Sequence, residues 1–236
     1  MVNLLRLKRN TNIKDDTFDK EKITKTVKGF LPAYKVMFIY FGGSIAYDTF
    51  NPDISDIDIN VFVDGFKGYI HTEMYGYDVF VFGKEEIVKR QHLDKDLPDY
   101  AKLFIDDYFS LDETLIYLDP LYRDEFNWLK NFKMSEVLKP FLKHTYEYYM
   151  YFYVDNEKPF KRFYHVIRIR GQLENYKKTG VFNHDMPLSY RQELLSFKNN
   201  YDNENGMQMY RTLIPKYLEE IKQFEEGLVC QDKKSL

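Results

Sequence analysis

The six residues Val36–Phe41 (VMFIYF) form an unbroken apolar run that ends on Gly42-Gly43, and no other stretch constrains the fold of this chain as strongly. A run of that length, rich in aromatic and β-branched residues and stopped by two glycines, reads as a buried strand. Upstream, Phe18, Ile23, Val27 and Phe30/Leu31 fall at helical spacing within residues 17–31, with Asp15, Asp16 or Thr17 available as a cap and Pro32 as a stop. Downstream, Ser44 is expected to cap a short helix running to about Asp48. The next segment alternates strictly: Ile57, Ile59, Val61 and Val63 point to one face, and Asp56, Asp58 and Asn60 to the other.

A turn at Asp64-Gly65 follows, and Gly76–Phe82 reads as another strand ending at Gly83. Lys84–His92 and Tyr100–Phe109 have helical character, with a short apolar strand or turn at Leu115–Leu118. From about Met134 the strand signal disappears. Residues 134–153, 158–178, 187–200 and 206–227 all read as helices, broken by Gly180, Pro187 and the Asn-rich stretch Asn199–Asn205. The expectation is an α+β chain of two domains: residues 1–125, with a small mixed sheet and flanking helices, and an all-helical 126–236.

Composition narrows the class. At 236 residues with 44% hydrophobic content the chain can bury a substantial core. It has no apolar run of about 18 residues and no signal-peptide core, so neither membrane insertion nor secretion is expected, and a cytoplasmic protein is. The single cysteine, Cys230, excludes an internal disulfide framework and a thiolate zinc site. Charge is uneven: residues 1–120 carry 15 Lys+Arg against 21 Asp+Glu, a net −6, whereas residues 121–236 carry 19 against 16, a net +3. An acidic half beside a basic half suits metal ions in the first and a polyanion on the second; ordinary surface variation produces the same imbalance.

Asp56 and Asp58, at i and i+2 of one strand, project from the same face with Cα atoms roughly 6–7 Å apart. Such carboxylates can converge on hard cations, and two magnesium ions about 3.5–4 Å apart can clamp an in-line phosphoryl displacement. Asp78, on the next predicted strand, is the candidate third carboxylate, expected mid-strand in an apolar setting. Gly42 and Gly43 let the backbone approach phosphate oxygens closely, and Ser44 adds donors at the start of the following helix. Asp53 and Ser55, in the loop before the pair, read as loop-shaping, with Ser55 within reach of a phosphate as the other option.

At these residues the sequence resembles the polymerase-beta-type nucleotidyltransferase superfamily, whose signature is a Gly-Ser turn, a spacer of about ten residues and an Asp-x-Asp strand, with a third carboxylate one strand later. Gly43, Ser44, Asp56 and Asp58 match the signature directly, and Asp78 matches by context, over residues 36–83. The resemblance implies a polymerase-beta-type palm followed by a helical domain closing one side of the cleft. It also implies two magnesium ions (manganese as substitute) on Asp56, Asp58 and Asp78, and a nucleoside triphosphate held by Gly42, Gly43 and Ser44. Chain length, Lys84 after the Asp78 strand, and Phe163–Arg168 with Leu173-Glu174 are similar to an RNA-repair-associated bacterial and phage branch, which implies an RNA 3′ end, perhaps of a tRNA, as acceptor. Ile45 stands where that branch has an arginine.

Within 158–178, Lys161, His165 and Arg168 stand at i, i+4 and i+7 and are expected to share a helix face; Lys161 and Arg168 are the candidate phosphate ligands, and a solvated basic face is the alternative. Two other functional readings stay open: a nucleotidyltransferase acting on a protein or small molecule, and a nucleotide-binding module without turnover. The sequence carries no signal for the transferred base or the oligomeric state.

Overall fold

The computed structural model describes residues 18–51, 55–91, 102–103, 105–132, 134–155, 160–200 and 204–232. The chain divides into two compact units, Met1–Lys89 with Asp107–Phe132, and Arg90–Asp106 with Lys133–Leu236. The first is α+β, the second helical.

The first unit is built on a five-stranded mixed sheet in the order β3-β4-β2-β1-β5, where β1 is Lys35–Phe41, β2 Asp58–Asp64, β3 Tyr69–Met74, β4 Tyr77–Gly83 and β5 Leu115–Leu118. β1 pairs antiparallel with both β2 and β5, β3 pairs antiparallel with β4, and β2 and β4 run parallel. The alternation of side chains sorts them into two buried layers. On one face Val36, Ile39, Phe41, Ile59, Val61, Val63, Val79 and Val81 pack with Ile23, Val27 and Leu31 from α1 (Lys20–Phe30) and its C-cap. On the other, Phe38, Phe62 and Phe82 stack across three strands with centroids 4.8 and 5.2 Å apart, and Phe126 meets Phe38 edge-on at 5.5 Å. The cap of α1 is Asp19, whose Oδ1 accepts the Lys22 N–H at 2.8 Å; Asp15–Thr17 lie outside the described residues.

Two elements went unanticipated. β3 is an edge strand with polar, largely exposed positions, joined to β4 by a two-residue turn in which Tyr75 (φ 51°) and Gly76 (φ 80°) both take the left-handed conformation that matches strand twist. The connection after Asp64-Gly65 therefore crosses the sheet end to reach β3 and does not lead straight to β4. The crossing explains Gly83: a Cβ there would sit 2.3 Å from the Phe66 carbonyl oxygen. The other is a short helix, Arg123–Lys130, that buries Phe126 and Leu129 against the sheet. Before β5 come a 3-10 turn, Ile105–Ser110, and the short helix Leu111–Thr114, where a continuous helix to Phe109 was expected.

In chain order the helices are α1, α2 (Gly43–Ala46), α3 (Glu86–Gln91), α4 (Leu111–Thr114), α5 (Arg123–Lys130), α6 (Met134–Asp155), α7 (Tyr164–Thr179), α8 (Leu188–Asn200) and α9 (Glu204–Asp232). The last four lie in the second unit, with α9 against α6 and α7, and α8 against α7. α7 is buried nearly all round and ends at Gly180, whose φ of 72° and N–H to the Tyr176 carbonyl make a left-handed cap. Arg170 ties the unit together. It lies between the rings of Tyr190 and Tyr217, pairing with Glu193 on α8 and Glu220 on α9. Among the described residues no helix is long and apolar enough to cross a membrane.

Phe62 is fully buried at the centre of the aromatic layer. Phe62→Ala is expected to lower the unfolding free energy by about 3–5 kcal/mol, read from urea denaturation; a loss under about 1 kcal/mol would contradict this packing.

Candidate active site

The polar end of the aromatic face forms the site. Along β2 the side chains on that face run Phe62, Asn60, Asp58, and along β4 they run Phe82, Phe80, Asp78. Parallel pairing is in register, with Asp58 directly beside Asp78. The ladder continues one residue further: Asp78 N–H donates to the Ile57 carbonyl at 3.0 Å. Asp56 is exposed in the segment leading into β2, and Asp58 is half-buried. Asp78 is not mid-strand in an apolar setting. It is the second residue of β4, its side chain 35% exposed, so both carboxylates avoid the desolvation that an interior position imposes.

The turn after β1 closes directly over Asp58. Gly42 N–H donates to the Asp58 carbonyl at 2.9 Å, and Gly43 adopts φ 55°. A Cβ on Gly43 would lie 1.9 Å from Asp58 Oδ2, and one on Gly42 would lie 2.3 Å from the Asn60 amide nitrogen and 2.8 Å from Asp107 Oδ2. Both glycines are therefore required by close approach, and Gly43 needs the left-handed conformation too. Asp107, buried in the 3-10 turn, receives the Asn60 amide at 3.5 Å; sequence reading missed it because nothing in its local pattern marks a buried acid.

Ser44 does not cap α2. The N-cap position belongs to Gly42, because the helix starts two residues earlier than expected. The Ser44 carbonyl accepts the Thr49 N–H at 2.8 Å, while its hydroxyl, 6% exposed, has no hydrogen-bond partner among the described residues. Ser55 is engaged in shaping its loop, accepting the Asn51 N–H at 3.0 Å, and Asp53 lies outside the described residues.

The expected basic face of the helical unit does not form. Lys161 belongs to a separate 3-10 turn, Phe160–Phe163, so it does not continue the α7 spacing. His165 and Arg168 are on α7 and buried, with Arg168 Nη1 donating to Gln172 Oε1 at 3.4 Å. Burial, reinforced by the positive charges of Arg168, Lys198 and Arg162, holds the His165 imidazole well below the ordinary histidine value. Arg162 is exposed and donates to the Tyr148 hydroxyl at 3.3 Å.

Comparison with known families now bears on the turn and the carboxylates together. A model of the nucleotidyltransferase domain matches residues 20–172, from α1 through the sheet and into α7. The chain belongs to the nucleotidyltransferase domain family, of the polymerase-beta type. Its sheet fits the palm of that family, and general nucleotidyl transfer is the activity the family carries. The crystal structure of a nucleotidyltransferase-like protein from Exiguobacterium sibiricum is similar at 14% identity, covering 87% of this chain and 75% of that one with a TM-score of 0.29. No curated protein matches.

The donors present suit a hard cation: carboxylate oxygens open to solvent, with room kept for Asp58 by Gly43. Among the described residues no three acidic, histidine or cysteine side chains already converge as a metal cage. Magnesium sites commonly use one or two carboxylates plus substrate phosphates, so a full protein cage is not required.

Gly43→Ala is expected to cost about 1–3 kcal/mol in unfolding free energy, because the added methyl meets Asp58 and the backbone is left-handed. Gly29, in α1 with open space around it, supplies the contrast: Gly29→Ala should gain about 0.5–1 kcal/mol. Denaturation midpoints of the two variants check both signs.

Proposed function

We propose that this protein transfers a nucleotide from a nucleoside triphosphate to an acceptor hydroxyl, releasing pyrophosphate, with divalent metal held by Asp56, Asp58 and Asp78. The observation that supports it best is the in-register pairing of Asp58 with Asp78, with Asp58 lying directly against the Gly42-Gly43 turn. Bound magnesium, or manganese in its place, would supply charge neutralisation at the transferring phosphoryl group and would favour ionisation of the acceptor hydroxyl.

The chain's own residues supply positioning, the main requirement of phosphoryl transfer. Gly42 and Gly43 carry no side chains, so the turn seats directly against Asp58, Asn60 and Asp107 and brings its backbone to a carboxylate that would hold metal. The Ser44 hydroxyl donates to a phosphate oxygen and thereby gains the partner it lacks. Asp58 is held at its height on the sheet by the Gly42 N–H to its carbonyl, and Asp78 by its own N–H to Ile57. The acceptor oxygen forms its bond to the α-phosphorus as the bond to the β-phosphate oxygen breaks.

The acceptor we propose is an RNA 3′ end, supported by the net +3 of residues 121–236 and by the similarity of Phe163–Arg168 to an RNA-repair-associated branch. A second reading, a protein or small-molecule acceptor, is favoured by the state of the second unit's cations. Arg168 is buried, Arg170 is paired with two glutamates, and Lys177 and Lys178 both reach Glu174. Lys161 and Arg168 therefore differ in standing as phosphate ligands: Arg168 would have to leave its buried position, and Lys161 carries the proposal alone.

Incubation of the protein with each α-labelled nucleoside triphosphate, magnesium, and separately RNA, protein or small-molecule extract tests this reading. Label is expected in RNA, with Asp58→Ala reducing it by at least about 100-fold. Label in protein or small molecules alone would establish the second reading. No label in any fraction, with nucleotide still bound, would mark a binding module.

A further inference from the structure

β3 contributes a side chain that neither the carboxylates nor the turn account for. His71 Nε2–H donates to Asp78 Oδ1 at 3.1 Å, reaching diagonally from the edge strand to the start of β4. Its ring is braced: it lies over Phe80, its direct cross-strand partner, with centroids 4.4 Å apart and planes 9° from parallel. Tyr69, two residues earlier on the same face, stacks in turn on Phe82 at 5.1 Å and Phe80 at 6.5 Å. The imidazole therefore rests on an aromatic floor continuous with the core, and only its edge is turned toward the carboxylate. His71 and Asp78 side chains are 49% and 35% exposed, so the pair is open to solvent.

We infer that His71 is a positioning residue for nucleotidyl transfer: by engaging Oδ1 of Asp78 it fixes the rotation of that carboxylate and leaves Oδ2 for a divalent cation. The inference rests on the reading of Asp58 and Asp78 as metal-holding carboxylates. An unbraced aspartate near a strand end samples several rotamers, and each cation bound must stop that motion. A hydrogen bond from a stacked ring removes the motion in advance, as partners of ligating groups do at metal sites generally. Stability offers no competing reason for the pair, since half-exposed ion pairs add little to a fold. Glu73 is the cross-strand partner of Asp78 on the same sheet face, so His71 places a donor on an edge that carries two neighbouring acids.

The test compares wild type, His71→Ala, His71→Gln and Asp58→Ala in the full chain. Manganese affinity is read by electron paramagnetic resonance with a non-hydrolysable nucleoside triphosphate, alongside kcat, KM and thermal midpoint. His71→Ala should weaken manganese binding by about 10-fold and lower kcat by a similar factor, with the thermal midpoint unchanged. Glutamine, whose amide nitrogen reaches nearly as far as Nε2, should restore most of both. Wild-type affinity and kcat in His71→Ala would overturn the inference. So would losses that glutamine does not repair and a lowered midpoint accompanies, because the ring's packing would then be responsible. Failure of the underlying metal reading has a different signature: Asp58→Ala would bind manganese as tightly as wild type, and both would fall together.

Discussion

The parallel pairing of β2 with β4 is the constraint on which the rest of the site depends. Two parallel neighbours cannot be joined by a tight turn, so the chain crosses the sheet end, lays down β3 as an outer strand and returns by a two-residue hairpin between them. The crossing forces a bare Cα at Gly83, and the return forces left-handed residues at Tyr75 and Gly76. In exchange, β2 and β4 lie side by side in register, and a one-residue slip would turn Val61, Val63, Val79 and Val81 out of the α1-covered core. The hydrophobic half of each strand thus fixes where the acids at its start must sit. Asp58 and Asp78 are neighbours because valines several residues away cannot move.

On the opposite face the same strands grade from aromatic to acidic. Phe62 and Phe82 are sealed in the stack, Asn60 and Phe80 below them are buried as well, and Asp58 and Asp78 reach solvent. A place at the strand starts spares the carboxylates the cost of burial, while the aromatic layer beneath them limits sheet flexing. The glycine turn, Asn60 and Asp107 fill the remaining space so tightly that no side chain fits at Gly42 or Gly43. Cations are handled in the opposite way in the helical unit. Arg170 is spent on Glu193 and Glu220, and Arg168 is enclosed with Gln172, so these charges organise helices and are not displayed.

Much of this was legible because the signals were strong. β1, β2 and β4 are runs of aromatic and β-branched residues, and α1 carries Ile23 and Val27 one turn apart, so their type follows from periodicity. β3 was illegible for a physical reason: as an edge strand it buries little, and Tyr69–Met74 shows no apolar alternation. Its hairpin glycine, Gly76, was the available clue. α5 was missed because eight residues with two buried side chains leave only a faint pattern. The helical spacing of Lys161, His165 and Arg168 misled, since a 3-10 turn precedes α7 and that helix is the covered centre of its unit.

By itself the sequence determined the α+β plan, the family and the identities of the glycines and aspartates, because turn chemistry and apolar alternation are local properties written into neighbouring residues. Only the tertiary structure decided which groups meet. The register of β2 on β4 set Asp58 beside Asp78, the crossover carried His71 to the latter, and helix packing withdrew His165 and Arg168 from solvent. Those outcomes depend on contacts between residues far apart in the chain. No local pattern encodes them, since each is selected by the burial of apolar surface elsewhere in its unit.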